Sequence, residues 1–177
     1  MNILNRAKGY LVGPMEHDAT GNDWRKDLIT RTNDLGIIWL NPYDVMIEGA
    51  EPETPEYHRG LIIARENGDY DYVTQEARKF RSRDLFVVDR ADFIVFYWDS
   101  TVPICGSWEE VFLANRAKKK IYMLCKSGKR HAPLWMFGTI PHSDIVTTMQ
   151  DVIDDLRLID SGQKKDDRIQ LLLPELR

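Results

Sequence analysis

A three-layer α/β sandwich is the predicted fold, with a mostly parallel sheet of four to five strands in a flavodoxin-like or Rossmann-like arrangement. Three observations predict it. Short apolar runs at 9–12, 37–40, 93–98 and 121–125 alternate with stretches of helical spacing. The run Phe93 to Trp98 is apolar without interruption, as suits a central parallel strand covered on both faces. Residues Arg83 to Cys125 read as helix, strand, loop, helix and strand, the outline of a βαβ crossover.

Gly9 to Val12 forms the first strand and runs into the turn signal Gly13-Pro14 and a polar loop, Met15 to Asn22. Either Asn22 or Asp23 caps a helix from Trp24, with Trp24, Leu28, Ile29 and Leu35 as apolar positions and Gly36 as the stop. Ile37 to Leu40 is the second strand. Residues 48–56, with four glutamates and Pro52 and Pro55, read as an exposed acidic loop within a single 1–177 domain. Leu61 to Asn67 and Tyr72 to Phe80 are helical, Gly68-Asp69 breaks them, and 81–89 continues the second. After the strand at Phe93, Ser107-x-x-Glu110 has capping-box spacing, and Lys118 to Lys120 fall at the helix end, where positive charge is favoured. Leu134 to Phe137 is either a short helical turn or a loop over the sheet. Ser143 or Asp144 caps a final helix through Ile145, Met149, Val152, Ile153 and Leu156, and Ile169 to Leu173 is an edge strand or a packed tail.

Apolar residues make up 43% and charged residues 29% of the 177, the balance of an ordinary globular chain. A net charge of −4 gives no electrostatic case for a nucleic-acid polymer or a membrane as partner. Two cysteines, Cys105 and Cys125, supply neither a disulfide framework nor a zinc pattern, and His17-Asp18 lacks a third ligand, so no metal and no cofactor are expected. There is no secretory signal and no run of about 18 apolar residues, so a cytoplasmic protein is expected. No GxGxxG follows the first strand and no GxxxxGK[ST] is present, which excludes the dinucleotide fingerprint and the triphosphate loop.

The chemistry concentrates at carboxylates near strand ends. Glu110, in the first turn of its helix, and Asp99, at the C-terminal end of the third strand, form a candidate pair for nucleophile and acid/base work. Spacing alone favours a capping role for Glu110. Asp92 stands at the opposite end of that strand, where a structural role is expected. The Gly13 loop lies at another C-terminal strand end, and Trp108 and Trp135 have the flat faces to stack on a base, although satisfied packing is the first reading of either.

Tyr10-Leu11-Val12-Gly13-Pro14, Asp84 with Asp89-Arg90-Ala91-Asp92-Phe93-Ile94-Val95, and Gly106-Ser107-x-x-Glu110-x-x-x-Ala114 together resemble the nucleoside 2-deoxyribosyltransferase-like superfamily, which includes nucleoside 5′-monophosphate N-glycosidases. The resemblance covers roughly 9–40 and 81–140. It implies that Glu110 is the nucleophile on the anomeric carbon, with Asp84 and Asp92 orienting the sugar or protonating the leaving base. It also implies substrate contacts at Tyr10, Gly13, Pro14, Met15, Gly106, Ser107 and Trp108, a small-molecule nucleoside or nucleotide as partner, and a homo-oligomer. Ser107, the following amides and Lys126 to Arg130 are the groups available to a 5′-phosphate. Two departures stand out. Ile104-Cys105 replaces an aspartate that many members carry, with Asp99 as the substitute from across the loop, and Phe112 replaces a glycine, which narrows or reshapes the helix packing and departs from the family's standard substrate geometry. The competing expectations are a non-catalytic ligand-binding module on the same fold and an interaction protein using the acidic loop and C-terminal tail.

Overall fold

The structure is a computed structural model and describes residues 2–15, 22–44 and 53–169. His17, Asp18 and the 48–52 part of the acidic loop lie outside the described residues, as does most of 169–173.

Five parallel strands, β1 (Lys8–Val12), β2 (Ile38–Leu40), β3 (Phe93–Trp98), β4 (Lys120–Cys125) and β5 (Ile145–Val146), form one sheet in the order β2-β1-β3-β4-β5. The helices are α1 (Asp23–Arg31), α2 (Pro55–Glu66), α3 (Tyr70–Arg90), α4 (Gly106–Arg116), α5 (Leu134–Thr139) and α6 (Met149–Asp160). Side chains alternate across each strand and divide the core in two. Tyr10, Val12, Ile94, Phe96, Ile121 and Met123 meet α3, α4 and α5 on one face. Leu11, Phe93, Val95 and Tyr122 meet α1 and α6 on the other. Near-continuous apolar strands follow from burial on both faces. Among the described residues, no helix is long and apolar enough to cross a membrane.

The strand order places the site. The chain leaves β1 for β2 on one side, returns over β1 through α2 and α3, and leaves β3 for β4 on the other side. The loops after β1 and β3 therefore diverge, and a crevice opens between them at the carboxyl ends of the strands.

Several local expectations change. The fifth strand is Ile145–Val146, ahead of the last helix, and α6 starts at Met149 with a capping box between Thr148 and Asp151. As expected, 81–89 continues the helix before it, and Tyr70 to Arg90 is one helix of 21 residues. The last residues of the acidic stretch are not an exposed loop: Glu53 is buried, and Pro55 and Glu56 begin α2. The lysine run follows the end of α4, but two of its side chains serve other segments. Lys119 Nζ donates to Val88 O, Asp89 O and Ala91 O at 2.6–2.8 Å and so closes the C-terminus of α3, the helix that carries Asp84. Lys120 is buried among Asp144, Asp155 and Asp166.

Gly9 shows how tightly β1 is held. A Cβ there would lie 2.5 Å from the Trp39 ring and 2.8 Å from the Phe93 ring. Trp39 cannot swing aside without losing its Nε1 hydrogen bond to Thr32 Oγ1, 3.0 Å. Gly9→Ala is expected to lower stability by about 2 kcal/mol, measured by urea unfolding.

Candidate active site

The crevice is a cavity of about 550 Å³. Val12 to Met15 line it from the end of β1, Pro103 to Ser107 from the β3–α4 junction, and Glu110 from α4. Asp84 and Leu85 enter from α3, and Glu53 and His58 from the start of α2.

Glu110 comes to this cavity because α4 begins at Gly106, with Cys105 as N-cap and no side-chain cap. Ser107 is then already helical and cannot form the expected capping box. The buried face of α4 is Ser107, Glu110, Val111 and Ala114. Instead of turning back to its own helix end, Glu110 accepts a 2.5 Å hydrogen bond on Oε1 from the Tyr10 hydroxyl. Burial raises the Glu110 pKa, against the opposing pull of the Tyr10 hydrogen bond and the Arg25 and Arg83 charges. Burial thus outweighs the lowering that a helix N-terminus gives a carboxylate. Tyr10 itself is pushed well upward, first by burial and then by the Glu110 and Asp84 charges, so it remains a proton donor.

Asp84 shares the cavity. Burial, and then the Glu110 charge, raise its pKa to about 7, while Arg83 works in the opposite direction. Arg83 Nη2 donates to Asp84 Oδ1 at 2.8 Å and also pairs with the buried Glu53. Glu53 Oε2 in turn lies 2.6 Å from His58 Nε2. The chain His58–Glu53–Arg83–Asp84 thus ties the start of α2 to α3.

Behind the strand end stands Arg25, wholly buried, donating from Nε to Leu11 O at 3.3 Å and from Nη2 to Gly13 O at 3.1 Å. It holds the end of β1 and supplies positive potential to Glu110. Arg25→Met is expected to cost about 2 kcal/mol in urea unfolding, from the lost charge-assisted hydrogen bonds. It should also raise the Glu110 pKa further, moving the acidic limb of any Glu110-dependent activity to higher pH.

Not every residue expected at the site reaches it. Asp92 is at the amino end of β3, where its Oδ2 accepts from Lys8 N at 2.7 Å and its own N donates to Lys8 O, pinning the start of the sheet. Asp99 does not line the cavity. It accepts from Lys126 Nζ at 2.9 Å and from Thr101 N and Oγ1, which hold its pKa down at about 2 and close the turn after β3. It therefore does not replace the missing aspartate at Ile104-Cys105, and both of those residues line the cavity themselves. Trp108 packs edge-on against Phe96 and stacks on Phe112, away from the cavity, so Phe112 leaves the pocket's shape alone. Trp135 is exposed on α5. Lys126 to Arg130 also lie off the cavity, as Lys126 is paired with Asp99.

Tyr10, Gly13, Pro14, Met15, Gly106, Ser107, Asp84 and Glu110 do converge. Gly13 has a packing reason to be small: a Cβ would lie 3.2 Å from Trp24 and 3.3 Å from Tyr97, two rings stacked at 5.1 Å. Arg25, Glu53, His58 and Arg83 were missed by sequence reasoning. The one available signal was for Arg25, which shares a helical face with Leu28 and Thr32, all three fully buried. Among the described residues no three His, Cys, Asp or Glu side chains converge to hold a metal ion. No protein-family model and no curated protein sequence matches the chain.

Proposed function

We propose that the chain cleaves the N-glycosidic bond of a nucleoside or nucleoside 5′-monophosphate, by hydrolysis or transfer, through Glu110. The observation that carries this reading is the pair of buried carboxyls on one cavity: Glu110 gripped by Tyr10, and Asp84 with a pKa of about 7. Support for the substrate class comes from the order of the three motifs that resemble the nucleoside 2-deoxyribosyltransferase-like superfamily.

In the first step a Glu110 carboxylate oxygen forms a bond to C1′. The C1′–N bond breaks, its electron pair goes to the base nitrogen, and that nitrogen takes the proton from Asp84. In the second step water, or the nitrogen of an acceptor base, attacks C1′. It gives its proton to the ionised Asp84 and releases Glu110. The two carboxyls need opposite protonation states at the start. Arg25 and the Tyr10 hydroxyl favour ionised Glu110, while burial and the Glu110 charge keep Asp84 partly protonated at neutrality. A covalent step at C1′ divides one hard displacement into two easier ones.

The test is base release, followed by chromatography, from a panel of 2′-deoxyribonucleosides and their 5′-monophosphates. Release from at least one is expected, and failure with every member removes the reading. A free acceptor base added to the productive substrate separates transfer from hydrolysis. Arg83 supplies a further check. Its charge lowers the Asp84 pKa, so Arg83→Met is expected to move the alkaline limb of the pH profile upward, with Arg83→Lys restoring it in part.

A further inference from the structure

The cavity has two chemically different ends. Tyr10, Glu110 and Asp84 form the polar one. From Asp84 the lining continues along α3 through Phe80, Ala77 and Val73, four, seven and eleven positions earlier in the chain. Residues at that spacing share one face of a helix, and the face runs about 16 Å. Leu61 and Ile62 of α2 join this stretch of the lining. Of the polar side chains near it, Arg81 is paired with Glu109 on α4 and His58 is bonded to Glu53, while Arg65 of α2 also lines the cavity.

Sugar hydroxyls need hydrogen-bonding partners, and those stand at the polar end. The leaving group takes its proton from Asp84, which is where the apolar stretch begins. The aglycone therefore departs along α3, into a space walled mainly by carbon. Polar ring edges find few partners there, whereas an alkyl or aryl group gains by burial.

We propose that the stretch between Asp84 and Val73 is an aglycone subsite for a base bearing an apolar alkyl or aryl substituent, with Ala77 and Val73 setting the size admitted. This inference rests on the reading of Glu110 and Asp84 as the glycosidic pair. The substrate class is then a nucleoside or nucleotide whose base has been modified with an apolar group on an exocyclic position. The small side chain of Ala77 in the middle of the stretch leaves the room such a group requires.

The test compares 2′-deoxyadenosine with N6-benzyl-2′-deoxyadenosine, each with and without a 5′-phosphate. Binding is measured by titration calorimetry and base release in parallel. The benzyl compounds are expected to bind the wild-type protein at least about tenfold more tightly than their parents. Ala77→Phe fills the middle of the stretch and is expected to bring that ratio to about one. Val73→Phe supplies the same comparison should Ala77→Phe fail to fold, as judged by its thermal transition. A benzyl compound that binds no better than its parent, or binds immeasurably, overturns the subsite, and so does a ratio that both variants leave intact. A tight, Ala77-sensitive benzyl complex without base release sinks the glycosidase reading and leaves the subsite standing. Release from the parent with no benzyl preference does the reverse.

Discussion

Asp84→Asn is expected to give a protein that is more stable than wild type at pH 8 and nearly inactive. The Asp84 pKa is about 7 in the folded chain against an ordinary 3.8. Below pH 3.8 the carboxyl is protonated in both folded and unfolded states and contributes no difference. Between 3.8 and 7 the unfolded chain releases the proton while the folded chain keeps it, so stability falls as pH rises. Above 7 the folded chain carries the full penalty of a buried carboxylate, with an upper bound of about 4 kcal/mol. Asparagine cannot ionise and escapes this penalty. Arg83 keeps Glu53 as a partner, so the substitution strands no charge. Urea unfolding across pH should show variant and wild type converging near pH 4 and diverging by about 2–4 kcal/mol by pH 8. Parallel curves would mean that Asp84 is not held in this state. Activity should fall by about 10²–10⁴-fold, the usual contribution of a general acid, and wild-type activity should decline above about pH 7 as Asp84 loses its proton. A gain in stability joined to a loss of function is the expected signature of a site that stores strain for its chemistry.

The fold and the site were legible in the sequence to different degrees, for physical reasons. The four longer strand assignments rest on apolar runs bounded by turn residues, and burial on both faces writes that signal strongly at Phe93 to Trp98. Ile145–Val146 is only two residues, and its isoleucine continues the helical period of Met149, Val152 and Val152's neighbour Ile153, so the period absorbed it. Glu110 shows a subtler limit. Its spacing from Ser107 satisfies a capping box, but a helix starting at Gly106 turns Glu110 onto the buried face. A two-residue change in helix start converts a cap into a cavity residue, and the sequence does not mark the start so finely. Strand direction did mark Asp92, since a residue preceding a parallel strand lies at the end away from the crevice. Asp99 is at the correct end, yet its carboxyl is consumed by Thr101 and Lys126. Glu53 and Arg83 had no signal, and Arg25 only its place on the buried face of α1. Charged side chains are buried only when partnered, and their partners come from other segments of the chain.

Glu110→Gln is expected to abolish base release, by at least about 10³-fold, while leaving the fold intact. The amide oxygen can still accept the Tyr10 hydroxyl, so the hydrogen bond beneath the site survives. The stability of this variant should not fall. Burial raises the Glu110 pKa, so the wild-type carboxylate is penalised as pH rises above its ordinary 4.5, and glutamine removes that penalty. Glu110→Ala should behave differently, because it leaves the buried Tyr10 hydroxyl without its acceptor and opens space beside it. A cost of about 1–3 kcal/mol follows from the hydroxyl alone. Comparing the two separates chemistry from packing: both are inactive, but only alanine is destabilised. The effects of Asp84→Asn and Glu110→Gln should also be less than additive in stability, because the Glu110 charge is part of what raises Asp84. Mass spectrometry of the quenched wild-type reaction should find the sugar attached to the peptide containing Glu110. Base release by Glu110→Gln within tenfold of wild type would remove Glu110 as nucleophile. Loss of release without any detectable adduct in the wild type would instead point to Glu110 activating water for direct displacement at C1′.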